Sequence, residues 1–134
     1  MKVIVAGSRN IHNFDINKVI LDSGFIVSEV VCGYADGIDT LGKIWAEENN
    51  IPVSLFPADW NNILVSNAVV KTNKYGKQYN ALAGFIRNEQ MAEYADALIV
   101  IYYSNSRGSI DMLTRAKRHK LKIYEVKINE TDMS

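Results

Sequence analysis

Apolar residues recur along this chain in two alternating rhythms. Apolar-rich segments occupy Lys2 to Ala6, Ile26 to Cys32, Val53 to Phe56, Leu98 to Tyr103 and Leu121 to Ile128, with Val3 to Ala6 and Leu98 to Tyr103 free of polar interruption. Short segments of this kind predict strands, and the uninterrupted ones predict strands buried on both faces. Between them the apolar positions follow a helical period. Ile16, Val19 and Ile20 share one face behind the candidate cap Asp15, and Gly24 supplies the stop. Ile38, Leu41, Ile44 and Trp45 form a second stripe, which fades through Glu47, Glu48, Asn49 and Asn50. Asn80 to Ala95 predicts a third helix, and Ser109 to about Arg118 a fourth, with His119 and Lys120 placed to favour the negative end of its dipole. Strand alternating with helix predicts an α/β fold, a doubly wound and mainly parallel sheet of about five strands reached by right-handed crossovers.

One stretch breaks the rhythm. Residues 59–79 are rich in Asn, Lys and Tyr and are long for a connection, which predicts a lid or a contact between subunits. Val65 to Val70 reads as a short strand or helical turn within it. Lys71, Lys74 and Lys77, interleaved with Tyr75 and Tyr79, suit either a solvated loop or a polyanion contact. The domain is expected to run over 1–128, with 129–134 as a frayed polar tail.

Composition narrows the partners. The 134 residues carry 15 basic and 15 acidic side chains, a formal net charge of zero. This balance argues against a dedicated duplex-DNA binder or membrane-surface protein. No apolar run is long enough to span a bilayer and no leader pattern is evident. With one cysteine, Cys32, there is no internal disulfide, which fits a cytoplasmic location, and its place at the end of an apolar strand reads as a small buried hydrophobe. His12 and His119 stand far apart without a second cysteine, so neither a zinc site nor another metal or cofactor is expected.

The chemistry gathers where strands end. Three strands run into small or glycine-rich turns: Gly7-Ser8-Arg9, Gly33-Tyr34-Ala35-Asp36-Gly37, and Ser104 to Gly108 followed by Ser109. In doubly wound sheets such turns converge at the carboxyl ends of the strands, where backbone N–H groups and helix N-termini hold anions. Gly33 and Gly37 suit a tight turn, a phosphate contact, or both. Ser8 can donate to a phosphate oxygen, and Arg9 can clamp one bidentately. Asp39 caps its helix, bonds the loop or meets a ribose hydroxyl. Ser109 reads as an N-cap, with Gly108 admitting a ligand close to the backbone. Trp60 stacks on a base or plugs the core edge. Arg87 and Asn88 interrupt a helix otherwise made of Ala, Phe, Ile and Met; Arg87 answers either an acidic neighbour or the ligand.

Taken in order, Gly7-Ser8-Arg9, Gly33-x-Ala35-x-Gly37-Ile38-Asp39, Phe56-Pro57-Ala58-Asp59-Trp60, Ala83-Gly84-Phe85-Ile86-Arg87-Asn88-x-x-Met91 and Gly108-Ser109-x-x-Met112 resemble the SLOG superfamily of Rossmann-like domains, in particular small single-domain proteins of bacteria and phages. The resemblance implies a Rossmann-like fold, a nucleotide-like small-molecule partner and self-association into a homo-oligomer. It also implies a ligand site formed by Gly7, Ser8, Arg9, Gly33, Ala35, Gly37, Asp39, Trp60, Arg87, Asn88, Gly108 and Ser109. The DNA-processing protein A family has a similar Gly-x-Ala-x-Gly-Ile-Asp turn and binds single-stranded DNA. The LOG enzymes are similar in fold and cleave ribose 5′-phosphate from a base. Their catalytic Glu corresponds to Met112 here, and Asp111, the nearest carboxylate, points about 100° away around the helix. The resemblance therefore implies binding without LOG-type hydrolysis, with a relocated carboxylate or a single-stranded nucleic-acid module as the alternatives.

Overall fold

The computed structural model describes residues 1–60, 69–80 and 82–129. Its elements run β1 (Lys2–Gly7), α1 (Ile16–Ser23), β2 (Glu29–Gly33), α2 (Ile38–Glu48), β3 (Val53–Phe56), β4 (Val70–Thr72), β5 (Gln78–Asn80), α3 (Ala83–Tyr94), β6 (Ala97–Tyr103), α4 (Arg107–Arg118) and β7 (Lys122–Ile128). Five strands form one sheet in the order β3-β2-β1-β6-β7, with every pair parallel. The fold is Rossmann-like α/β.

The chain winds outward from β1 through β2 to β3, then returns to lay β6 on the other side of β1. That reversal makes the β1–β6 boundary the switch point, where strand ends leave a crevice. β6 can sit there because all seven of its residues, Ala97 to Tyr103, are buried. Alternation along β1 divides the interior. Val3 and Val5 pack with Ile16, Val19, Ile20 and Ile38 on one face, while Ile4 and Ala6 pack with Met91, Ala92, Met112 and Ala116 on the other. Helices α1 and α2 thus cover one side, and α3 and α4 the other.

Gly7 seals the centre of the sheet. It pairs with Ile101 on β6, and a Cβ at this position would lie 1.9 Å from the Ile101 carbonyl oxygen. Backbone cannot yield as a side-chain tip can. Gly7→Ala should therefore destabilise the domain by roughly 3 kcal/mol, the upper end for overpacking, seen as a lower denaturation midpoint in urea.

Several boundaries differ from those expected. β2 begins at Glu29 rather than Ile26, which is exposed. Its would-be partner strand starts only at Lys2, and the chain before Glu29 is held instead by Ser28 N–H donating to the Met1 carbonyl. Helix α3 starts at Ala83 rather than Asn80, because Asn80 pairs with Val70 in an antiparallel hairpin. Helix α4 starts earlier than Ser109: Ser106 holds the N-cap position, so Ser109 is not the cap but a buried residue of the first turn. β7 starts at Lys122 rather than Leu121.

The β4–β5 hairpin lies within the long connection. Asn73 closes its turn, its side-chain oxygen accepting from the N–H groups of Tyr75 and Lys77, with Gly76 in the left-handed region at φ 79°. The expected element at Val65 to Val70 lies outside the described residues except for Val69 and Val70, and of the polar tail only Asn129 is described.

Candidate functional site

At the switch point a cavity of about 390 Å³ opens at the carboxyl ends of β1 and β6. Its wall comes from five places in the chain. The end of β1 and its turn contribute Gly7, Ser8, Arg9 and Asn10, and the turn before α2 with the first turn of that helix contributes Ala35 and Asp39. Trp60 follows β3, and α3 contributes Gly84, Phe85, Arg87, Asn88 and Met91. The end of β6 and the start of α4 complete it with Tyr103, Asn105, Ser106, Gly108, Ser109 and Met112.

The residues singled out by sequence thus meet in one place, except for Gly33, Gly37 and Asp111, which are not part of the lining. The two glycines shape the site from behind. Gly37 takes a φ of 75°, and a Cβ there would lie 2.3 Å from the Ser8 carbonyl oxygen, so the turn needs glycine. At Gly33 a Cβ would lie 2.1 Å from Nη1 of Arg87. The absent side chain is the space that the guanidinium fills. Gly108 contrasts with both: nothing lies within 4 Å of a Cβ built on it, and its φ is not positive. The fold does not require glycine there, and the open space borders the cavity.

Two polar residues mainly hold the walls together. Ser8 is buried; its Oγ accepts from the Tyr103 N–H at 2.9 Å, fastening the β1 turn to the end of β6 and leaving its hydroxyl hydrogen to donate. Asn88 ties α3 to α4: its amide nitrogen donates to the Gly108 carbonyl at 3.2 Å and to Asp111 Oδ2 at 3.0 Å, and its oxygen accepts from Arg87 Nε at 3.1 Å. Both amide donors are used inside the protein, so Asn88 positions Arg87 and the α4 turn.

Arg87 is 8% exposed, and besides Asn88 it donates from Nη1 to the Phe56 carbonyl at 3.4 Å. Burial pulls its pKa down while the Asp39 carboxylate pulls it up. The acidic-neighbour and cavity readings of Arg87 therefore both hold. Asp39 is not the helix cap, since Gly37 occupies that position. It is buried and accepts hydrogen bonds from the backbone N–H groups of Gly7 and Gly33, fastening the first two turns together. Burial pushes its carboxyl up to about 7, against the opposing pull of Arg87, Arg9 and those two N–H groups. Arg9 stands at the mouth, its guanidinium carbon 5.9 Å from the centroid of the Trp60 ring. Opposite, the N-cap residue of α4, Ser106, makes no side-chain cap hydrogen bond. Ser106 and Ser109 bond each other through their hydroxyls at 2.8 Å.

Cys32 sits beneath this region, buried and free, its thiol pushed up to about 12 by burial, so it is an inert packing residue. Asp111 belongs to a network on the outer side of α3 and α4. It pairs with Arg115 at 2.9 Å, Arg115 reaches Glu89 at 3.2 Å, and Glu89 bonds His119 at 2.7 Å. Glu89, Glu93 and His119 also bring ligand-type atoms within 4.8 Å of one another, a cluster that sequence spacing did not signal. Arg115 already supplies a cation there.

Sequence reasoning missed Asn10, Phe85, Asn105 and Ser106 in the lining. Their signal was position: each lies beside a turn or helix residue already singled out.

Residues 1–62 match the model of the YAcAr family, the YspA, cpYpsA-related SLOG family. That segment carries β1, the glycine turn, Asp39 and Trp60, the smaller part of the cavity wall. The remaining wall, from α3 and α4, is covered by a structural match. The X-ray structure of DNA processing protein A from Streptococcus pneumoniae superposes with a TM-score of 0.67 at 22% identity, over 92% of this chain and 49% of that one. The first part of the chain is thus similar to a SLOG family, and the whole shares the fold of that DNA processing protein. The chain spans about half the length of that DNA processing protein. No curated protein sequence matches it. No helix among the described residues is long and apolar enough to cross a membrane.

Proposed function

We propose that this domain binds a nucleotide or nucleotide-derived small molecule, with its phosphate between Arg87, Arg9 and the first turn of α4. The observation that carries this reading is the convergence on one cavity of a buried arginine, a second arginine at the mouth and a helix N-terminus whose N-cap residue makes no side-chain cap hydrogen bond. Each of these favours an anion, and together they surround one small volume. Phe85, Met91 and Met112 supply apolar wall for a base or sugar. Trp60 offers a face already used by Arg9.

The same arrangement favours binding over hydrolysis of an N-glycosidic bond. That reaction builds positive charge on the sugar, which a carboxylate stabilises. Met112, in the position of the LOG catalytic Glu, has no charge to offer. Asp111 is bonded to Asn88 and Arg115 and is absent from the cavity wall. Isothermal titration with 5′-mononucleotides should give saturable binding. Chromatography of the same mixtures should show no free base. Release of base that survives Met112→Ala and disappears in Asp111→Asn would instead establish a relocated catalytic carboxylate.

A further inference from the structure

The cavity does not end at Arg9. A second cavity of about 240 Å³ adjoins it and shares Arg9, Ala35, Trp60 and Arg87 with the first. The two are thus lobes of one cleft, with both arginines and the Trp60 ring on the ridge between them. The lobes differ in chemistry. The first meets the α4 N-terminus and is lined by hydrogen-bonding groups such as Asn10, Asn105 and Ser109, with the buried carboxyl of Asp39 fastened to the N–H groups of Gly7 and Gly33. The second contains the carboxylate of Asp36 and the ring of Tyr34, which is 71% exposed, against Pro57 and Ala58.

Placement of charge decides what each part can take. An anion is best held on the ridge, where the cations are. A terminal phosphate in the second lobe would face Asp36 and be repelled. A nucleoside there would meet an acceptor for its hydroxyls and aromatic rings for its base. A ligand whose phosphate ends the molecule would use the ridge and one lobe, leaving the other to water.

We propose that the ligand is a nucleotide whose phosphate is esterified on both sides, the phosphate lying on the Arg9–Arg87 ridge with one substituent in each lobe. This rests on the nucleotide-binding reading and specifies its ligand class. An aromatic base packed on Tyr34 should add about tenfold in affinity.

The test compares two probe sets by isothermal titration with the intact chain: the four 5′-ribonucleoside monophosphates, and the dinucleoside monophosphates built from the same bases. The expected result is a dinucleoside monophosphate that binds at least about tenfold more tightly than either of its mononucleotides. Tyr34→Ala should abolish that advantage, with circular dichroism reporting that the variant is folded. Equal affinity for both probe sets, or an advantage that survives Tyr34→Ala, overturns the two-lobed ligand and leaves nucleotide binding standing. If no probe of either set binds, the nucleotide reading itself fails, and this inference fails with it.

Discussion

Arg87→Ala should weaken nucleotide binding by at least about 30-fold, the lower end of the roughly 2–5 kcal/mol attached to a buried charged contact. The effect is expected to be large because Arg87 cannot be replaced by a neighbour. Its guanidinium occupies the space left by the missing side chain of Gly33 and is oriented by Asn88 and the Phe56 carbonyl. Arg9, by contrast, is exposed and free to be screened by salt. Removing Arg87 also leaves the buried Asp39 without its strongest opposing cation, so the single variant should lose stability above neutral pH. The double variant Arg87→Ala/Asp39→Asn separates the two effects. It should recover much of the stability and none of the affinity. An Arg87→Ala protein that keeps its fold by circular dichroism and its dissociation constant would remove Arg87 from the site.

The sheet was readable from sequence because its central strands are unambiguous. Val3 to Val5 and Leu98 to Ile101 have no polar interruption, and a strand flanked on both sides by other strands must be apolar on both faces. The start of β2 was misjudged for the complementary reason. Phe25, Ile26 and Val27 are apolar, but β1 provides no backbone for them to pair with. Apolar character alone does not make a strand; a partner of matching length does. Asn80 reads as part of α3 because the hairpin partner that claims it lies ten residues back, beyond the reach of local pattern.

The site was legible to the extent that the topology dictates it. Turns at the carboxyl ends of adjacent parallel strands must meet, so Gly7, Ser8, Arg9, Gly108 and Ser109 converge once the strand order is known. What each residue does there depends on partners that spacing cannot reveal. Asn88 looked like a ligand contact, yet its hydrogen bonds go to Arg87, Gly108 and Asp111. Asp39 looked like a cap, yet it bonds the N–H groups of two separate turns. Gly33 and Gly108 look alike in the sequence. Only packing separates them, since one is filled by an arginine and the other opens on the cavity.

Asp39 should make the stability of the domain fall as the pH rises from about 4 to about 7. An aspartate in an unfolded chain releases its proton near 3.9, whereas burial raises the folded carboxyl to about 7. Between those values the folded state holds a proton that the unfolded state has lost. Its contribution to stability is therefore complete below the unfolded value and disappears as the pH passes the folded one. The difference is on the order of a few kcal/mol. The groups that face Asp39 do not obscure it. Guanidinium groups in general do not lose their charge in this range, and the Cys32 thiol, raised to about 12, stays neutral. Other carboxylates titrate in the same range, so the measurement is a difference. Urea midpoints at pH 4.5 and pH 8 are compared for the native chain and for Asp39→Asn. The native chain should lose more stability than the variant between the two pH values. The variant should also be the more stable at pH 8, because an amide needs no counter-charge in that buried position. Identical changes in the two proteins would show that Asp39 is ionised in the folded state across the whole range, held so by Arg87, Arg9 and the N–H groups of Gly7 and Gly33.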